Sequence, residues 1–143
     1  MDEREVHVLL TDLSKNQFTG AIPSKLGDEG ALRGKLDMSK NMLTGTIPTE
    51  FGRLSNLLAA LTLADNQLSG QIPSELGILR LLRGSIDLSN NTIAGTLPTE
   101  LGKLQTLKEL QLSNNLISGS VPSEMAEMTS LELLYVPMLW HQH

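Results

Sequence analysis

The chain has 143 residues, 40% of them apolar but only 3% aromatic, and a net charge of −5 with a pI near 5.1. This is one domain's length with an aliphatic core, and it lacks the basic cluster that nucleic acid or an anionic membrane surface demands. The absence of cysteine excludes disulfides and thiolate metal sites.

In chain order, Met1-Asp2-Glu3-Arg4-Glu5 lacks the basic and apolar regions of a secretory leader. The N-terminal end is uncapped unless Val6-His7-Val8-Leu9-Leu10 forms a starter strand. From there one unit recurs five times, marked by Asn16, Asn41, Asn66, Asn91 and Asn115 at steps of 25, 25, 25 and 24 residues. A fixed period of this length predicts a stack of similar coils rather than a globule around one centre.

Each unit starts with alternating apolar residues: Thr11/Leu13, Leu36/Met38, Leu61/Leu63, Ile86/Leu88 and Leu110/Leu112. Alternation predicts a strand with one buried face, and stacking predicts parallel pairing at about 4.8 Å. The Asn then falls at a corner, where its amide can satisfy backbone groups turned out of the ladder. Four residues on, a Gly supplies positive φ or close approach. An aliphatic-Pro pair follows (Ile22-Pro23, Ile47-Pro48, Ile72-Pro73, Leu97-Pro98, Val121-Pro122), then Ser or Thr, then Lys25, Glu50, Glu75, Glu100 or Glu124. Pro-Ser/Thr-Glu-Leu-Gly predicts one helical turn with a glycine C-cap. That glycine is Gly27, Gly52, Gly77 or Gly102, with Ala126 in the fifth unit. Three units hold an extra residue before the strand, to be absorbed at a corner or as a bulge, eased by Gly34 and Gly84.

A sixth strand is expected in Leu131–Val136, and Leu139 stands where the next Asn is due. A solenoid end must be covered. Either Leu139 and Trp140 fold over it, or the end associates with another copy or with further sequence. No apolar run reaches the roughly 20 residues of a membrane span, so no membrane insertion is expected.

These residues resemble the plant-type subclass of the leucine-rich-repeat family, with L-x-x-L-x-L-S-x-N-x-L-x-G-x-I-P-x-x-L-G, over about residues 8 to 136. Some units, such as Thr46-Ile47-Pro48-Thr49-Glu50, are also similar to diatom and algal repeats. The resemblance implies an α/β-type repeat solenoid, a single domain over 1–143 with five full repeats and a partial one at 125–143. It implies a parallel sheet on the concave face and short 3₁₀ and extended segments on the convex side. Family members are usually extracellular recognition modules, which favours an extracellular or cell-surface location. They usually carry cysteine-paired caps, and this chain has none.

The residues expected on the concave face are Leu10/Asp12/Ser14, Lys35/Asp37/Ser39, Ala60/Thr62/Ala64, Ser85/Asp87/Ser89 and Glu109/Gln111/Ser113. Of these, Asp12, Lys35, Asp37, Ser39, Thr62, Ser85, Asp87, Ser89, Glu109 and Gln111 are the candidate ligand-binding residues. They are small and polar, without the Trp, Tyr or Arg that usually anchors a protein partner. The Asp12–Asp37 pair could attract a cation, but flanking Lys15, Lys35 and Lys40 balance it, and no metal or cofactor is expected.

His7, His141 and His143 lie at the chain ends, so no Ser-His-Asp constellation can assemble. No H-E-x-x-H, G-x-S-x-G or phosphate loop is present, and no enzyme is expected. The function expected is non-catalytic binding of a protein or peptide through the concave face or its edge. The alternatives are a structural fragment of a larger receptor, or ice binding by Ser/Thr rows such as Thr19, Thr44, Ser69 and Ser118. End-to-end self-association is a further expectation. Asn90-Asn91-Thr92 is a sequon with Asn90 as acceptor.

Overall fold

The computed structural model describes residues 8–28 and 32–137, with only the backbone of Val8 and Leu9. The expected starter residues Val6 and His7, and the capping pair Leu139 and Trp140, lie outside the described residues.

Six strands form one all-parallel sheet: β1 (Val8–Asp12), β3 (Leu32–Asp37), β5 (Ala60–Thr62), β6 (Ser85–Asp87), β8 (Glu109–Gln111) and β10 (Leu133–Tyr135). One strand comes from each coil. Across the corner, β2 (Thr19–Ala21) pairs with β4 (Met42–Thr44), and β7 (Ala94–Gly95) with β9 (Leu116–Ile117). A Thr46–Ser69 bridge joins the coils between them. The third side of each coil is a 3₁₀ turn: η1 (Ser24–Gly27), η2 (Thr49–Arg53), η3 (Ser74–Ile78), η4 (Thr99–Lys103) and η5 (Ser123–Glu127). Each turn follows a proline in extended conformation, whose fixed φ leads into it and whose missing N–H leaves no donor unmet.

The core is a column of aliphatic layers. Leu36, Leu61, Ile86 and Leu110 project inward from the sheet and are at most 1% exposed. Leu43, Leu68, Ile93 and Ile117 face them from the second side. Phe51, Leu76, Leu101 and Met125 close the layer from the 3₁₀ turns. Leu134 takes the same register as Leu110 but is 38% exposed, because no described coil lies beyond it.

The ladder amides bind this stack together. Asn66 Nδ2 donates to the carbonyls of Leu63 and Ala64 in its own coil and of Met38 in the preceding one, while Oδ1 accepts the Leu43 N–H at 3.0 Å. Asn41, Asn91 and Asn115 repeat this set one coil apart. Asn16 has no coil before it among the described residues and is exposed, and of these it bonds only Leu13 and Ser14.

One expectation about glycine needs revision. The glycines ending Pro-Ser/Thr-Glu-Leu-Gly are not left-handed C-caps. They lie within the 3₁₀ turns, and the caps are Asp28, Leu54, Leu79, Leu104 and Met128. These glycines are required by crowding: a Cβ on Gly52 would sit 2.6 Å from the Glu75 carbonyl oxygen of the next coil. Ala126 takes this position in η5, where no described 3₁₀ turn stacks against it and a methyl is tolerated. The extra residue before the strand is absorbed in two ways. Between β1 and β3 it forms a bulge, Leu9 facing both Arg33 and Gly34, with Gly34 at φ 76°. Gly84 instead lets the Ala59 carbonyl approach where a Cβ would overlap it.

Candidate functional site

The side-chain period of two puts alternate residues of each strand on the concave face. Register then aligns them into rows across coils. One row runs Leu10, Lys35, Ala60, Ser85, Glu109, Leu133, and the next Asp12, Asp37, Thr62, Asp87, Gln111, Tyr135. All ten candidate residues therefore lie on or beside one sheet, but their environments differ.

The Asp-x-Ser units are tied up locally. Asp37 Oδ1 accepts the Ser39 N–H at 3.0 Å and its hydroxyl at 2.6 Å, and Oδ2 pairs with Lys35 Nζ at 2.8 Å. Both Asp37 and Ser39 are 8% exposed. Burial pushes the Asp37 carboxyl upward, but hydrogen bonds from Lys35 and Ser39 outweigh it and hold the group below its ordinary value. In the first coil, Ser14 likewise holds the Asp12 carboxyl below its ordinary value through side-chain and backbone hydrogen bonds. Asp87 Oδ1 accepts the same two bonds from Ser89, but Ser85 stands where Lys35 stands one strand pair away, and Asp87 has no cation partner among the described residues. Asp37 and Ser39 thus act as a strand-end clasp, and Asp87 keeps one oxygen for another donor.

In the middle of the sheet, Ala60, Thr62 and Ala64 form a shallow stretch of small side chains between the Lys35–Asp37 pair and Asp87. Toward the C-terminal end, Glu109 and Gln111 are half-buried. Beside them the sheet continues into two residues that reading the sequence did not assign to this face. Leu133 registers with Glu109 and Tyr135 with Gln111, and Tyr135 is 47% exposed. The signal was available: Leu134 continues the Leu110 row, so its neighbours must face outward. The expectation that this face lacks an aromatic anchor is therefore corrected.

One rim of the face is set by backbone conformation. The residue before each ladder Asn is left-handed: Lys15, Lys40, Asp65, Asn90 and Asn114 have φ between 54° and 56°. Asp65 Oδ1 accepts Asn90 Nδ2 at 2.9 Å, and Asn90 Oδ1 accepts Asn114 Nδ2 at 2.7 Å, a second, exposed amide chain. The rim is cationic over the first two coils and neutral to acidic beyond.

The hydroxyl rows lie on the other sides of the coil. Thr44, Thr46 and Thr96 are exposed, while Ser69 and Ser118 donate to the Gly45 and Gly95 carbonyls. Thr49, Ser74, Thr99 and Ser123 donate to the glutamates that follow them. Among the described residues no three His, Asp or Glu side chains converge to hold a metal ion, and no helix is long and apolar enough to cross a membrane. His7, His141 and His143 lie outside the described residues.

A family model described as leucine rich repeat matches residues 84–137, and a second leucine rich repeat model matches 35–54 and 58–79. No curated protein matches the chain. Among solved structures, it is similar to the ectodomain of the plant membrane receptor kinase GASSHO1/SCHENGEN3 from Arabidopsis thaliana, in complex with CASPARIAN STRIP INTEGRITY FACTOR 2. The TM-score is 0.81 and the identity 33%, over 86% of this chain and 14% of that one. The ectodomain of the Arabidopsis receptor kinase HAESA, in complex with an extended IDA peptide hormone ligand, is similar at TM-score 0.70 and 33% identity, over 90% of this chain and 26% of that one. A chain of the BIR3–SERK2 complex from Arabidopsis thaliana is similar at TM-score 0.74 and 32% identity, over 96% of this chain and 75% of its own length. The chain thus spans about a seventh of the first of these relatives and a quarter of the second.

Proposed function

Since the chain belongs to the plant-type leucine-rich-repeat family, we propose that it is a non-catalytic recognition module that holds a protein or peptide on its concave face. The reading takes residues 1–143 as one solenoid domain, placed outside the cell as its ectodomain relatives are. Two of those relatives were solved with a bound factor or peptide hormone and one as a complex of two proteins; a protein or peptide partner is likewise proposed for this chain.

The observation that carries the proposal is the C-terminal half of the concave sheet. There Asp87 has an oxygen without a donor among the described residues, Glu109 and Gln111 make no side-chain hydrogen bond to a described residue, and Tyr135 stands exposed beside them. Tyr is one of the residues that most often carry binding energy at an interface, and the polar groups beside it offer a partner hydrogen-bond acceptors. Asp12, Lys35, Thr62 and Ser85 extend the lattice toward the N-terminus and set register rather than supply most of the affinity. Asp37, Ser39 and Ser89, being buried, hold the strand ends in place.

Binding of extracellular peptides or ectodomains to the immobilised chain tests this. Glu109→Lys with Tyr135→Ala should weaken any concave-face ligand at least tenfold while leaving the melting temperature within a few degrees. A ligand whose affinity is unchanged by both substitutions would move the site elsewhere.

A further inference from the structure

We propose that Asn90 is an N-glycosylation site and that its glycan covers the left-handed rim of the concave face. This rests on the extracellular placement in that reading and not on its ligand, so failure of one leaves the other testable. Asn90-Asn91-Thr92 is the only Asn-x-Ser/Thr triplet in the sequence. Of its two asparagines, only the first can carry a substituent in the fold. Asn91 is 8% exposed, and its Nδ2 points at the carbonyls of Leu63, Leu88 and Ser89. Asn90 is exposed at the corner, in the left-handed conformation that Asn adopts readily, φ 54°.

The Asn90 amide has room for the sugar without losing its own contacts. Nδ2 carries two hydrogens, and one is donated to Asp65 Oδ1 at 2.9 Å. The sugar replaces the other. Oδ1 remains available to accept Asn114 Nδ2 at 2.7 Å. The co-reactant is a lipid pyrophosphate-linked oligosaccharide. Nδ2 bonds to the sugar C1, the C1–oxygen bond breaks, the lipid pyrophosphate leaves with the electron pair, and Nδ2 gives up one proton. Thr92, the hydroxyl residue of the triplet, is itself exposed, with its Oγ1 resting 2.9 Å from the Leu68 carbonyl.

Placement gives the glycan a consequence. Residue 90 adjoins Ser89, which clasps Asp87 on the concave face. Asp65 and Asn114 are its neighbours one coil to either side. A glycan here shields that rim over the third to fifth coils. A partner then reaches the concave face from the opposite edge, where Leu58, Arg83 and Lys108 are exposed at the strand starts.

The test is secretion of the full chain from a eukaryotic host behind an added leader, followed by intact mass and digestion with a peptide N-glycosidase. The expected result is the mass of one glycan, lost on digestion with residue 90 converted to an acid. Asn90→Gln and Thr92→Ala should abolish the shift, and Thr92→Ser should keep it. If Asn90→Gln fails to be secreted, the Thr92→Ala and Thr92→Ser pair carries the comparison. Secreted wild-type chain at its unmodified mass, or a shift that survives Thr92→Ala, would overturn the proposal.

Discussion

Replacing Asn66 by Ala tests the amide ladder, because the structure allows the damage to be counted group by group. Three carbonyls lose a donor, yet each keeps another. Met38 O retains Asn41, Leu63 O retains Asn91, and Ala64 O retains the Lys40 N–H. The one orphan is the Leu43 N–H, which bonded Oδ1 at 3.0 Å. Leaving a buried donor unmet costs about 1–3 kcal/mol, and the lost bonds add a net contribution of about 0.5–1.5 kcal/mol. We therefore expect Asn66→Ala to cost about 2–3 kcal/mol, a fall in Tm of about 6–10 °C for a chain of this size. Asn16→Ala should cost under about 0.5 kcal/mol, because Asn16 is exposed and Leu13 O retains Asn41. Asn66→Asp sharpens the test. The introduced carboxylate still accepts the Leu43 N–H but faces three carbonyl oxygens, so burial and those dipoles raise its pKa. A raised folded-state pKa gives stability at low pH that is lost as pH rises through it. This variant should be worse than Asn66→Ala at pH 7 and recover in acid. Urea unfolding followed by circular dichroism measures all three, with an unchanged slope as the check that the stack still melts as one unit. If Asn66→Ala melts like wild type, or Asn16→Ala costs as much, the ladder is not what joins the coils.

Two further outcomes follow from other parts of the fold. Gly52→Ala should cost about 3 kcal/mol or more or prevent soluble expression, since its methyl meets the Glu75 backbone at 2.6 Å. Ala126→Gly should change stability by about 1 kcal/mol or less, and thermal melts compare the pair. Asp37→Asn removes a carboxylate held below its ordinary value. That group stabilises the fold above the unfolded-state pKa of about 3.9 and ceases to do so as pH falls through the lower folded-state value. The stability gap between wild type and Asp37→Asn in urea should be largest near pH 7 and close in strong acid. A gap independent of pH would show that packing, not charge, holds Asp37.

The periodic features were legible in the residues alone because each coil repeats the same local physics. Alternation at Leu36/Met38 or Leu110/Leu112 requires a one-sided strand, an Asn at a constant offset requires a constant corner, and Pro followed by Ser/Thr-Glu starts a short turn in any context. The left-handed turn at Gly45, φ 76°, follows the same logic. What the sequence could not decide is whatever depends on the next coil. Gly52 and Gly77 look like helix caps when read locally, but only the neighbouring backbone reveals that they are spacers. The burial of Asp37, 8% exposed, also depends on its neighbours, whereas its Lys35 partner lies two residues away in its own strand and was legible in the residues. Alternation about Leu134 already pointed Tyr135 outward, and the register of β10 on β8 sets it beside Gln111. Local propensity needs one coil to express itself, whereas crowding and rows of exposed side chains exist only between coils, so the tertiary stack decides them.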